Sequence, residues 1–133
     1  MGVAMIPEEL VRDLDELKER GYIFETVENS GRIYVIFSGY PLPTGIYNMD
    51  KTSLLIFTTP LYPNAGFDMF WVEENCTLKN NTIPKNGDAI ENHLGKRWRR
   101  FSYHPYNAKA WNPSQDNVVS FMGYVDLRLR RGD

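Results

Sequence analysis

One cysteine, Cys76, is all the chain carries, so no intramolecular disulfide can form. There are two histidines, His93 and His104, and no Cys/His set stands at zinc-binding spacing. No metal and no cofactor are therefore expected. Long apolar runs are also lacking: nothing approaches the ~20 residues of a membrane span, and Met1 to Ile6 is too short for a secretory core. A reducing, cytoplasmic setting without a membrane partner is the expectation. Charge of one sign is lacking too. With 15 basic and 17 acidic residues, net −2, the molecule is not built to coat nucleic acid.

What is present is enough to fold. A chain of 133 residues with 42% hydrophobic content reads as one domain over 1–133. At this size it buries roughly two thirds of its unfolded surface. The basic residues are bunched. Lys96, Arg97, Arg99 and Arg100 crowd one stretch, and Arg128, Arg130 and Arg131 crowd another. These are either solvated faces or a docking surface for an acidic partner or a ligand carboxylate.

Hydrophobic spacing predicts a helix over Pro7–Arg20, with Leu10, Val11, Leu14 and Leu17 on one stripe and Gly21 as its stop. Strands are predicted at Tyr22–Val27, Arg32–Phe37, Ser53–Thr58 and Phe67–Val72, the first two joined at Asn29-Ser30-Gly31. Arg32–Phe37 is a nearly continuous apolar run, as in a strand buried on both faces. Glu73–Gly95, rich in Asn, Gly, Lys and Pro, reads as a long irregular loop of the kind that is functional or mobile. Trp98–Tyr106 is aromatic and basic with no clean period. A last helix is predicted from Asn112, capped there with Pro113 in its first turn and Gln115 completing a capping box. Its buried stripe is Val118, Phe121, Met122, Val125 and Leu129. The fold class is α+β: N-terminal helix, four-stranded antiparallel meander, long active-site loop, C-terminal helix.

Three segments, taken with their spacing, resemble ubiquitin-conjugating enzymes. Leu61-Tyr62-Pro63-Asn64-Ala65-Gly66-Phe67-Asp68-Met69-Phe70 is similar to the tyrosine-proline edge between their third and fourth strands. Trp111-Asn112-Pro113 is similar to the Trp-x-Pro that follows their catalytic residue. Trp98-Arg99-Arg100-Phe101-Ser102-Tyr103-His104 resembles a motif of a bacterial branch, the prokaryotic family E proteins encoded beside ubiquitin-like and activating-enzyme genes. The resemblance implies the ubiquitin-conjugating fold, an acyl-transferase activity without a cofactor, and three partners: a ubiquitin-like protein, its activating enzyme, and a protein or amine acceptor. It also suggests an operon-encoded pathway, with phage defence as one setting. The first helix would dock the activating enzyme, which makes Arg12 and Lys18 candidate contacts beside Lys96, Arg97, Arg99 and Arg100. The nucleophile of the family lies eight to ten residues before the Trp, and nine residues before Trp111 stands Ser102. The family's His-Pro-Asn is missing from its expected window, where Asn92 and His93 occur instead.

A serine hydroxyl attacks an acyl group only when a neighbouring base takes its proton and donors meet the developing oxyanion. His104 is two residues on, and i and i+2 side chains of an extended segment share a face. His93 could approach if the long loop folds back, and Asp116 is a candidate orienting carboxylate. Cys76 reads as a small side chain at a loop edge. Other readings stand beside this one: a non-catalytic protein of the same fold that binds a ubiquitin-like or activating protein, a thioester enzyme using Cys76, a serine substituted for a natural cysteine, or an interaction domain outside the superfamily.

Overall fold

A computed structural model describes residues 6–133. Helix α1 spans Glu8–Glu19 and buries Leu10, Leu14 and Leu17, but Asp13 joins that stripe while Val11 is 45% exposed. At 100° per residue Val11 lies off the line through Leu10, Leu14 and Leu17, whereas Asp13 lies close to it. Gly21, with φ +95°, takes the left-handed conformation that stops the helix.

Six strands follow: β1 (Phe24–Asn29), β2 (Arg32–Pro41), β3 (Lys51–Thr58), β4 (Phe70–Glu73), β5 (Ala89–His93) and β6 (Lys96–Phe101). They form one antiparallel sheet in the order β1-β2-β3-β4-β6-β5. The expected meander holds for β1 to β4. The expected four-stranded sheet does not, because Glu73–Gly95 contains β5 and the unpatterned basic stretch after it forms β6. The turn that closes this hairpin is Leu94-Gly95, both at positive φ (56° and 76°). Two such residues suit the right-handed twist of a tight hairpin, but a leucine in that role does not resemble the usual Asn-Gly. In β6 arginines occupy both faces, Arg99 with Phe101 on one and Arg100 with Trp98 on the other, so no apolar alternation marks the strand. Pro41 is the last residue of β2, opposite Lys51, beyond a bulge between Phe37 and Tyr40.

Helix α2 runs over Val118–Arg130, later than predicted. Its cap is Asn117, whose side chain accepts from the Ser120 N–H while the Ser120 hydroxyl accepts from the Asn117 N–H. Asn112 instead closes a turn, its side chain accepting from Ser114 N–H and its own N–H donating to Asp116. An asparagine side chain thus accepts from a following backbone N–H twice, at positions 112 and 117, and only the second leads into a helix. The predicted stripe of Val118, Phe121, Met122, Val125 and Leu129 is fully buried.

Both helices pack on one face of the sheet, where they touch each other and cover the main core. The other face carries Tyr34, Leu55, Trp71 and Trp98, screened by Phe57 and by cations, Arg32 at 4.2 Å over the Phe57 ring and Lys96 at 4.6 Å over Trp98. No described helix is long and apolar enough to cross a membrane.

One buried hydroxyl ties the layers together. Tyr62 donates to the Asp13 carboxylate at 2.6 Å and accepts from the Val118 N–H at 3.1 Å, linking α1, the loop after β3 and the start of α2. Burial first, and the Asp13 hydrogen bond second, push its phenol well above the ordinary tyrosine range. Replacing Tyr62→Phe leaves a buried carboxylate and a helix-terminal N–H without that partner, at a cost of about 1–3 kcal/mol. Urea titration should show a lower midpoint with an unchanged slope.

Candidate active site

Strand β6 ends at Phe101, whose ring stacks on Phe70 at 4.7 Å between centroids. Ser102 is the first residue beyond the strand. Its N–H donates to Asn86 O at 2.9 Å, and the next N–H, of Tyr103, turns back to Phe101 O. Two loops therefore grip residues 102–104.

The first loop runs from Pro84 to Asp88 ahead of β5. Arg99 reaches it from β6, donating to Gly87 O at 2.7 Å, and Arg128 reaches it from α2, donating to Lys85 O at 2.7 Å. Both guanidiniums are buried. Burial, with Arg131 nearby, lowers the proton affinity of Arg128 below its ordinary value.

The second loop, residues 61–69, is held by Trp111. The indole N–H donates to Pro63 O at 2.8 Å, and its ring lies directly on Gly66, where any Cβ would stand only 2.3 Å from a ring carbon. Phe67 is buried against Phe121. Asp68 follows, then Met69 at φ +63°, whose N–H donates to Tyr103 O at 3.2 Å. That contact brings Asp68 in front of His104.

The result is a line of three side chains. His104 Nδ1 lies 2.8 Å from Asp68 Oδ2, and His104 Nε2 lies 3.2 Å from Ser102 Oγ. An ionised carboxylate only accepts, so Nδ1 carries the proton and Nε2 keeps its lone pair for the Ser102 hydroxyl. This is the relation of nucleophile, base and orienter in serine acyl transfer. The site opens to solvent: the His104 side chain is 35% exposed and that of Asp68 52%.

The model of prokaryotic E2 family E matches residues 10–132. The chain belongs to that family. Membership gives it an E2-like role in prokaryotic ubiquitin-like conjugation, with a ubiquitin-like protein and an activating enzyme as the implied partners. No curated protein and no solved structure matches it.

Against the expected site of this family E chain, Ser102 and His104 meet, and the other two candidates lie elsewhere. His93 pairs with Lys96 at the far end of the β5–β6 hairpin, six residues of extended chain or roughly 20 Å from Ser102. Its ring is on the helix-free face among Tyr34, Phe57 and Trp71. There the Tyr34 hydroxyl lies 3.3 Å from Nδ1, and Nε2 lies 3.0 Å from the Glu91 carboxylate. Burial works to raise the Glu91 carboxyl, but hydrogen bonds from His93 and Trp71 and the Arg100 charge hold it below its ordinary range. Asp116 accepts from the Asn112 N–H and shapes the turn before α2. The carboxylate at His104 is Asp68, which the sequence hid inside a predicted strand. The strand begins only at Phe70; the Asn-Ala-Gly before Phe67 was the signal of a loop.

The candidate partner residues also divide. Arg99 is buried on the backbone carbonyls of Glu74 and Gly87, so it presents nothing to a partner. Arg97 pairs with Glu74 at 2.8 Å and Arg100 with Glu91 at 2.7 Å. Arg12 lies near Glu9 and Asp13 on the outer side of α1, Lys18 lies over the Phe24 ring, and Lys96 is exposed. Cys76 is fully buried, and burial together with Glu73 pushes its thiol up to about 12. Among the described residues no cluster of three or more His, Cys, Asp or Glu side chains could hold a metal ion.

Gly66→Ala tests the loop geometry. The methyl cannot share space with the Trp111 indole, so overpacking should destabilise the chain by about 1–3 kcal/mol. The melting temperature should fall and the tryptophan emission shift as the indole leaves Pro63.

Proposed function

We propose that Ser102 accepts the C-terminal acyl group of a ubiquitin-like protein from its activating enzyme as an oxyester and passes it to an amine. The observation that carries this reading is the 3.2 Å approach of the Ser102 hydroxyl to His104 Nε2, with His104 itself oriented by Asp68. As Oγ attacks the acyl carbon, its proton passes to Nε2. Asp68 stabilises the imidazolium, and the leaving group on the activating enzyme takes the proton as the tetrahedral intermediate collapses. An incoming neutral amine then attacks the ester carbonyl and gives a proton to the same nitrogen, and as the bond from carbon to Oγ breaks, Oγ takes that proton back and the amide leaves. Esters are less activated than thioesters toward amines, so this second step leans on positioning and on the base.

The buried thiol of Cys76 supports serine over cysteine, since only a thiolate is a competent nucleophile and the thiol is held neutral far from solvent. The exposed cations of this reading are Arg12 and Lys18 on α1 for the activating enzyme, and Lys96 for a ubiquitin-like protein. A single domain over 1–133 working in the cytoplasm fits the same reading.

With activating enzyme, ATP and a labelled ubiquitin-like protein, an adduct should form that survives excess thiol and is cleaved by hydroxylamine. Ser102→Ala should abolish it, Cys76→Ala should leave it intact, and Ser102→Cys should make it thiol-sensitive. His104→Gln should slow its formation by about 10²–10⁴-fold. Undiminished adduct in Ser102→Ala would remove this residue from the mechanism, and binding with no adduct in the unaltered chain would point to a non-catalytic partner-binding role.

A further inference from the structure

We infer that the same three side chains also hydrolyse the acyl group on Ser102, so that without a docked amine the chain is an esterase for activated acyl groups. This activity rests on the oxyester reading above and adds water as a second acceptor.

The argument begins with what remains after acylation. The first leaving group has carried away the proton, so His104 Nε2 is again a free base, about one hydrogen-bond length from the ester oxygen on Ser102. The Asp68 contact of 2.8 Å keeps the other ring nitrogen protonated and the lone pair of Nε2 turned to Oγ. Nothing in that arrangement is particular to an amine. Imidazole and carboxylate are both partly exposed, at 35% and 52% of their side-chain surface, so bulk water reaches the base directly.

Water and amine are not equal competitors here. A lysine amine, with an ordinary pKa of about 10.4, is almost wholly protonated near neutral pH and must lose a proton before it can attack. Water needs no prior deprotonation; it gives up its proton as it attacks. The step balances with one water. Its oxygen bonds to the acyl carbon while its proton passes to Nε2. The bond from carbon to Oγ then breaks, Oγ takes the proton from Nε2, and a free carboxylic acid leaves and loses its own proton to solvent. Ser102 and His104 return to their starting states. Transfer to an amine then requires an acceptor surface that excludes this water.

The purified chain with p-nitrophenyl acetate tests this without any partner. Nitrophenolate should appear as a burst of about one equivalent followed by steady turnover, with acetyl-Ser102 trapped by acid quench and located by mass spectrometry. Ser102→Ala and His104→Gln should fall to the buffer rate, and Cys76→Ala should match the unaltered chain. Asp68→Asn should lower turnover by on the order of 10²-fold or more and displace its pH profile, with partial rescue in Asp68→Glu, which a merely structural role would not produce. Acetyl-Ser102 that accumulates and never turns over would overturn the inference while leaving the oxyester reading in place. Equal turnover in Ser102→Ala would overturn it as well. The second arm uses the ubiquitin-like adduct after ATP depletion, without amine. Decay to free protein, slowed in Asp68→Asn, is expected; an adduct with the same lifetime in both overturns hydrolysis. Absence of acylation by either route would take the oxyester reading down with it.

Discussion

The packing of the Trp111 indole on Gly66 is the constraint from which the candidate site follows. With no side chain at Gly66, the ring lies flat on the backbone and its N–H reaches Pro63 O. The loop between β3 and β4 is thereby held against the segment leading into α2. Phe67 goes into the core, Asp68 is left pointing outward, and Met69 turns through a left-handed conformation to meet Tyr103 O. Asp68 and His104 are 36 residues apart in sequence, and it is this clamp that brings them together.

Buried cations hold the other side of the site. Arg99 and Arg128 come from a strand and a helix, and each ends on a carbonyl of the loop that also accepts the Ser102 N–H through Asn86. Charged donors on backbone carbonyls make strong hydrogen bonds when shielded from water, and leaving one unmade costs more than an exposed pair would. The nucleophile candidate thus leaves a strand whose end is fixed on both sides, while His104 and Asp68 stay accessible. Support from both sides holds these side chains in place while one face stays open to solvent.

The helix-free face has a separate economy of contacts. Arg32, Tyr34, His93 and Glu91 form a continuous hydrogen-bonded chain over Trp71, with Arg100 closing on Glu91. His93 belongs to this network. Its nearness to Ser102 in the sequence reflects a hairpin that carries the two apart, one at the turn and one at the open end. Proximity along the chain was a sound guide for His104, two residues away, and misleading for His93, nine residues away, because the extended strand β6 lies between it and Ser102.

Local patterns alone determined much of this protein. The apolar stripe of α2, the strands β1 to β3 and the tyrosine-proline and tryptophan-proline segments were legible because periodicity and turn chemistry act over a few residues. Ser102 and His104 were legible as a pair for the same reason. Tertiary structure decided what depends on partners distant in sequence. Asp13 could enter an apolar stripe only because Tyr62 waits there, β6 could carry arginines on both faces only because carbonyls and Glu91 receive them, and Asp68, not Asp116, reached His104. A short-range signal says what a segment prefers, but a buried charge or an oriented imidazole is settled by the group that meets it, and the fold alone brings that group there.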